Sequence, residues 1–509
     1  MRLSIFIFFS FLSLTGFSQL PDSVVYEAEM QMALSNQPYL SQWVIANRYG
    51  KLNDNQADGY LQAGFYAPYT NDTTSFKVSF GFDYLVKPDF NESRIQQAFV
   101  KAKFHALELA AGQYERTVGV HNADLSTGSL ALSRNARPMP VVAIGFPEYT
   151  AVPLTKGYVK FKGHLLHGWF EEDRYVDSPY LHEKSFYLQV GATYWPVKVS
   201  AGLVHFAQWG GTQPNGQEIG DGFDDFMRIF LGQSAADESG GGEFVNALGN
   251  HLGIIDLGIN LTIKDYQIHI YQQDPFEDKL GLTRAHIIYD QLLGINVKNE
   301  KFVYVNEFLY EYINTKHQGG PGIPDPRPGD DSNDLSLNYG YRYGGRDDYY
   351  NNYLYQNGWT YHQRILGNSL LLSRERALRF MENIPDFEYS EASANNRIIA
   401  HHIGFKGEIS HRIKYRLLSS YTHNFGTYAG LNDGRFSWAS REPGYENYIY
   451  AFKSSKYQCY TLLEGEFIFN TSVPLSALTS FGYDFGDLYH NLSVMLGIRF
   501  MGSISKEDI

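Results

Sequence analysis

Cysteine is almost missing: Cys459 is the single one among 509 residues. No disulfide can form within the chain, so a disulfide framework is excluded as its source of stability. A basic excess is missing too. Lys and Arg total 42 against 55 Asp and Glu, a net charge of -13, which argues against a nucleic-acid partner. Pro/Ser-rich linkers and breaks in composition are absent, so one large architecture fits better than a string of domains. Beyond residue 18 no apolar run reaches the roughly 18 residues with which a helix crosses about 30 Å of hydrocarbon. Helical spanning is therefore excluded. A barrel is not, because lumen-facing and lipid-facing residues alternate along its strands and cancel in any hydropathy average.

The first residues form a unit of their own. Arg2 gives a positive end, Ile5 to Leu14 a short apolar run, and Gly16 and Ser18 stand three and one residues before a cut at Gln19. Residues 1–18 thus read as a secretory signal peptide. No cysteine follows that cut, which excludes a lipoprotein anchor.

Aromatic residues are abundant, with 39 Tyr and 35 Phe beside 48 Gly. The apolar residues recur with a period of two. In Ile255-Asp-Leu-Gly-Ile-Asn-Leu-Thr-Ile263 every odd position is aliphatic, the mark of a strand with one apolar face. Phe76 to Tyr84, Phe186 to Tyr194 and Leu492 to Phe500 repeat the pattern. Opposite faces carry Lys, Glu, Gln and His, as in Lys101 to Leu109 and Tyr158 to His164, which suits a wet lumen. At about 20 to 27 residues per strand and connection, residues 59–500 supply about 16 to 22 antiparallel strands of a transmembrane β-barrel, and residues 501–509 form a tail. Residues 19–58 read differently: Val25 to Leu34 has good helix formers and Leu40 to Tyr49 a second helical stretch, so a short periplasmic helical element is expected. Gly319 to Ser332 is too rich in Pro and Gly for regular structure and reads as a long external loop.

Catalytic chemistry is sought and not found. His401 and His402 are adjacent on a strand, so their rings point to opposite faces and cannot share a metal. His251 and His121 stand singly, with no ligand at metal-binding spacing, and no nucleophile elbow occurs. No enzyme activity and no cofactor are expected. Calcium in the acidic stretches Asp221 to Asp225 and Asp330 to Asp334 stays open beside the plainer reading of solvated loops, and Trp209-Gly-Gly211 reads as a bulge or tight turn at a strand end.

Several blocks, in order, resemble the capsule-assembly Wzi family of outer-membrane proteins in its Bacteroidetes-type form: Asn135-Ala-Arg-Pro-Met-Pro140, Lys162-Gly-His-Leu-Leu-His-Gly-Trp-Phe170, Leu181-His-Glu-Lys184, Gln208-Trp-Gly-Gly211, Gly249-Asn-His-Leu-Gly253, Tyr310-Glu-Tyr312 with Thr315 and Gln318, and Tyr349-Tyr-Asn-Asn352 with Gly358-Trp-Thr-Tyr361. The resemblance covers about residues 40 to 370. It implies a monomeric barrel of about eighteen strands in the outer membrane, among lipid and lipopolysaccharide, acting as a surface lectin that binds exported capsular or extracellular polysaccharide. A porin or oligosaccharide channel is the alternative, and an outer-membrane hydrolase ranks third.

Sugars present apolar C–H faces and hydroxyl edges, so aromatic rings beside Arg, Asp and Asn form a binding surface at little entropic cost. The segment Tyr341 to Tyr350 and the stretch after it have that mixture, making Arg342, Arg346, Asp347, Tyr349, Tyr350 and Trp359 the candidate contacts. Asn357-Gly358 signals a hairpin with Tyr353, Tyr355, Trp359 and Tyr361 near its end. Rings so placed suit a membrane waterline or a sugar platform better than a hydrophobic core.

Overall fold

Alternation becomes a wall. The computed structural model describes residues 21–70, 75–235, 247–277, 290–318, 348–384, 392–427, 430, 449–469 and 473–505, and eighteen strands there form one antiparallel sheet. In chain order they are β1 (Ser23–Ser35), β2 (Ala57–Ala67), β3 (Phe76–Val86), β4 (Arg94–Phe104), β5 (Leu107–Gln113), β6 (Pro140–Ala151), β7 (Val159–Trp169), β8 (Tyr180–Val190), β9 (Val197–Trp209), β10 (Asn250–Ile263), β11 (Tyr266–Phe276), β12 (Gln291–Lys298), β13 (Glu307–Asn314), β14 (Ile398–Ser410), β15 (Ile413–Asn424), β16 (Lys456–Ile468), β17 (Leu475–Gly486) and β18 (Asn491–Ser505). Each pairs with its sequence neighbours, and β1 pairs with β18 from Ser23 opposite Ser505 to Ser35 opposite Ser493. Closure leaves no strand edge unpaired, the condition for a sheet to stand in lipid.

The period of two sorts the faces. On β10, Leu257, Ile259 and Ile263 are exposed on the outer wall while Asp256, of the opposite parity, is buried in the lumen. On β8, Phe186, Leu188 and Val190 point out and Tyr187 and Gln189 in. Exposed rings bound the aliphatic belt: Trp169, Tyr457 and Phe485 at one end, Phe104, Trp195 and Phe467 at the other. Those are the aromatic girdles of a membrane barrel.

Both outermost strands depart from expectation. Val25 to Leu34 is not a periplasmic helix but part of β1, and the tail expected from residue 501 is still β18, which runs to Ser505. Glu, Ala, Met, Gln and Leu favour helix, yet here Met30, Met32 and Leu34 face lipid while Gln31 and Ala33 face inward. Period outweighs propensity, because β1 gains ladder bonds on both sides by closing the barrel. The barrel therefore begins at Ser23, not residue 59. Of the second helical stretch only α1 (Gln42–Ile45) is helical, and it lies inside the lumen. The signal peptide of residues 1–18 lies outside the described residues.

Connections sort by end. The termini share one end with short turns such as 105–106, 264–265 and 411–412. The opposite end carries 36–56, 114–139, 210–249, 315–397 and 425–455. Short turns mark the periplasmic side and long loops the cell exterior.

Candidate functional site

The connections 36–56 and 114–139 and the segment 348–384 turn inward and fill the lumen. Within 36–56, Trp43 is buried and its Nε1 donates to Ser420 Oγ on β15 at 3.1 Å, while Gln42 N donates to Asp484 Oδ2 on β17 at 2.7 Å. Within 114–139, Thr127 N and Oγ1 donate to Glu311 Oε2 on β13 at 2.8 and 2.7 Å. The segment 348–384 lies against the second: Asn368 Nδ2 donates to Gly128 O at 2.6 Å, Trp359 Nε1 to Ala131 O at 2.7 Å, and Asn135 Nδ2 to Ile365 O at 2.9 Å. Irregular backbone inside a membrane protein must find every partner within the protein. The Asn, Ser and Gln side chains of this plug supply them.

At its outer surface the plug leaves a cleft of about 300 Å³. Its cations are Arg137, Arg364, Arg376 and Arg379, and its carboxylates Asp54, Glu92 and Glu375. Internal bonds hold most of them: Arg376 Nη1 lies 2.5 Å from Asp54 Oδ2, Arg379 Nη2 donates to Pro38 O at 3.1 Å, and Arg364 donates to the Leu52 carbonyl. Arg137 has no hydrogen bond or ion pair to another described residue, so its guanidinium is available to a ligand. Burial lowers Arg364 to about 10, which leaves it charged at pH 7. His362 and Gln363, both at positive φ, form the tip of a tight hairpin in which Thr360 and Tyr361 pair with Ile365 and Arg364. Two non-glycine residues in the left-handed region store backbone strain at the cleft. Exposed rings stand at the same end: Phe90, on the short helical turn that carries Glu92, then Tyr175 and Tyr353.

Toward the periplasm lies a separate charged vestibule of about 520 Å³, walled by Glu27, Glu29, Glu464 and Arg499 of the strands and by Arg48 and Lys51 of the first connection. Glu464 pairs with Arg48 and with Arg416. The two cavities share no lining residue, and segment 42–55 stands between them.

The predicted contacts divide. Arg342, Arg346 and Asp347 lie outside the described residues, as do the loop Gly319 to Ser332 and the acidic stretch Asp330 to Asp334. Tyr349, Tyr350 and Trp359 are buried at 2, 3 and 1% exposure, so they are plug core and not surface. Tyr349 Oη donates to Asp290 Oδ2 at 3.0 Å, and Tyr350 Oη to the Leu130 carbonyl. A tight turn does close beside Gly358, whose N donates to Tyr355 O at 2.7 Å around Gln356 and Asn357, but it lies in the plug, and the strand pairing of this segment turns instead at His362 and Gln363. Core, the answer disfavoured from sequence, is correct for Tyr349, Tyr350, Tyr355, Trp359 and Tyr361, while Tyr353 is exposed.

Among the histidines, His402 is buried inward and His401 is exposed outward, as the alternation required. His251 is not alone: strand pairing sets its Nδ1 2.8 Å from His205 Nε2. Only the register of β9 on β10 reveals this. Trp209 ends β9, and Gly210 and Gly211, both at positive φ, make the expected turn. Asp225 accepts from Gly222 N at 3.2 Å at the start of a helix. Among the described residues no three His, Cys, Asp or Glu side chains are grouped to hold a metal ion.

Comparison with known proteins adds two findings. The model of the family described as capsule assembly protein Wzi matches residues 35–371. Among solved structures, the chain is similar to Wzi of Escherichia coli, an outer-membrane protein described as a carbohydrate-binding β-barrel involved in group 1 capsule assembly, with a TM-score of 0.55 at 13% identity over 94% of this chain and 84% of that one. OccK5 (OpdH) of Pseudomonas aeruginosa matches with a TM-score of 0.45 at 10% identity over 95% and 98% of the two chains. No curated protein sequence matches the chain.

Proposed function

Because this chain belongs to the capsule assembly Wzi family of outer-membrane barrels, we propose that it binds exported capsular or extracellular polysaccharide and holds it at the cell surface. One observation carries the reading to particular residues: the outward cleft on the plug, where Arg137 makes no hydrogen bond or ion pair to another described residue. Four guanidiniums against three carboxylates favour an acidic glycan, since a guanidinium meets a carboxylate in two parallel hydrogen bonds. Asn53, Asn55, Asn135 and Gln363 offer donors and acceptors to hydroxyl edges. Phe90, Tyr175 and Tyr353 offer rings to the C–H faces. Arg342, Arg346 and Asp347, outside the described residues, stay candidate contacts on the mixture of their side chains alone. The description of the Escherichia coli protein as carbohydrate-binding supports the assignment.

On this reading the protein is a monomer among lipid and lipopolysaccharide, and its closed barrel leaves no edge of that sheet for a partner strand. It binds its glycan and does not cleave it. Conduction, the alternative, is disfavoured by the plug between cleft and vestibule. The experiment is titration of purified protein with polysaccharide from the producing cell, alongside planar-bilayer recording. Saturable, salt-sensitive binding with a silent bilayer supports the reading. Steady solute-dependent conductance without glycan binding overturns it in favour of a channel.

A further inference from the structure

The outer wall carries a polar window. On β8 the outward positions run Val190, Leu188, Phe186, Lys184 and His182 toward the cell exterior; on β9 they run Val199, Ala201, Leu203, His205, Ala207 and Trp209. His251 on β10 has the parity of Leu257 and Ile259. Lys and three His on the lipid side of a barrel would face acyl chains, where polar groups are costly. Yet His182, His205 and His251 are all less than 9% exposed, and both ring nitrogens of His182 are buried without a partner.

Their cover is α2 (Phe223–Leu231), in the external connection 210–249, ended by Gly232 at φ +63°. Phe226 and Phe230 set their rings 5.4 and 5.8 Å from the His182 ring, and Phe226 lies 5.9 Å from Trp209. Lys184 donates to the Phe230 carbonyl and stands 4.4 Å from its ring. His251 Nε2 bonds the Leu248 carbonyl at 2.7 Å.

The helix has three sides. Ile229, Phe226 and Phe230 meet the wall; Phe223, Met227 and Leu231, each four residues apart, form an exposed apolar stripe; Asp224, Asp225 and Arg228 fill the remaining arc. A helix with wall on one side, apolar side chains on the next and charge on the third is built for a boundary between lipid and water. We propose that α2 is an in-plane membrane helix, whose wall face seals the polar window of β8 to β10 and whose exposed stripe is occupied by the outer leaflet of the bilayer. Lipid is the occupant because the stripe continues the exposed belt: Phe186 and Leu188 lie directly below Lys184 on the same strand. Depth agrees, since the window opens within the first few residues of the external rim, where Trp169 of the girdle stands.

The test is collision accessibility. In a Cys459→Ser background, nitroxide labels are placed through Phe223→Cys, Met227→Cys, Leu231→Cys and Asp224→Cys, with Leu188→Cys as the lipid reference and fully exposed Leu154→Cys, in the periplasmic turn 152–158, as the water reference. The full chain is held in phosphatidylcholine nanodiscs, and only samples with the heat-modifiable gel mobility of a folded barrel are read. Labels at 223, 227 and 231 are expected to favour oxygen over a nickel chelate as Leu188 does, with 224 resembling Leu154. Nickel accessibility at 223, 227 and 231 equal to that at Leu154 would overturn the proposal.

Discussion

Replacing Trp359 by Ala separates a plug residue from a sugar contact. The indole is 1% exposed, lies edge-on to Phe206 with ring centres 5.3 Å apart, and donates to the Ala131 carbonyl at 2.7 Å. Truncating a buried Trp costs about 3–5 kcal/mol through lost burial and the cavity left behind. A stranded carbonyl adds to that by up to about 1–3 kcal/mol, unless water enters the space. Taking about 4 kcal/mol, the opening equilibrium of the plug rises roughly 10³-fold, at a tenfold change per 1.4 kcal/mol. That loss falls on the plug, because each wall strand is bonded to two other strands and not to Trp359. Hydrogen exchange followed by mass spectrometry on protein in nanodiscs reads both parts. Peptides covering 125–135 and 350–366 are expected to exchange far faster in the variant, while 255–263 in β10 is unchanged. Unchanged plug exchange together with lost glycan binding would refute the reasoning and restore Trp359 as a contact.

Other outcomes follow from the same geometry. Gly358→Ala places a Cβ at φ +57°, 2.0 Å from the Tyr350 carbonyl oxygen, so it is expected to cost more than the roughly 1–2 kcal/mol of a left-handed residue alone, read as faster exchange of 350–366. Arg137→Glu removes a guanidinium that makes no hydrogen bond or ion pair to another described residue: glycan affinity should fall about 10- to 100-fold, as for the loss of a charge-assisted bond of about 1.5–3 kcal/mol, in protein that keeps the heat-modifiable mobility of a folded barrel. Burial, its largest influence, holds His121 in the second inward connection down to about 4, so the folded state takes up its proton later than the unfolded one. Stability assigned to neutral His121 is therefore intact above about pH 6.5 and lost as pH falls toward 4. His121→Gln should show a shallower drop in melting midpoint over that window than the unsubstituted protein, and parallel curves would refute the assignment.

The wall was legible because its rule is local. Ile255 to Ile263 alternates, as a strand with lipid on one side and a wet lumen on the other must. Val25 to Leu34 carried two signals at once, helix formers and alternation, and the choice turned on a partner more than 450 residues away. Tyr349 to Ile365 misled for a different reason. Tyr, Asn and Trp suit a waterline, a sugar platform and a plug core alike, since in each a ring is packed and its polar edge is bonded. Which applies depends on whether this segment turns inward, and that is settled only by packing in the structure, where a Cβ on Gly358 would meet the Tyr350 carbonyl oxygen at 2.0 Å. The cleft itself was not readable in advance, because Asp54, Glu92, Arg137 and Arg376 come from four separate connections. The grouping of His182, His205 and His251 likewise exists only once register is known.

Retention of polysaccharide at the cell surface is the central claim, and the ratio of cell-associated to shed polysaccharide tests it most directly. Deleting the gene should shift polysaccharide from cells to medium; the unsubstituted gene should restore it, and Arg137→Glu should restore it only in part at equal surface level. A ratio that deletion leaves unchanged would contradict the account.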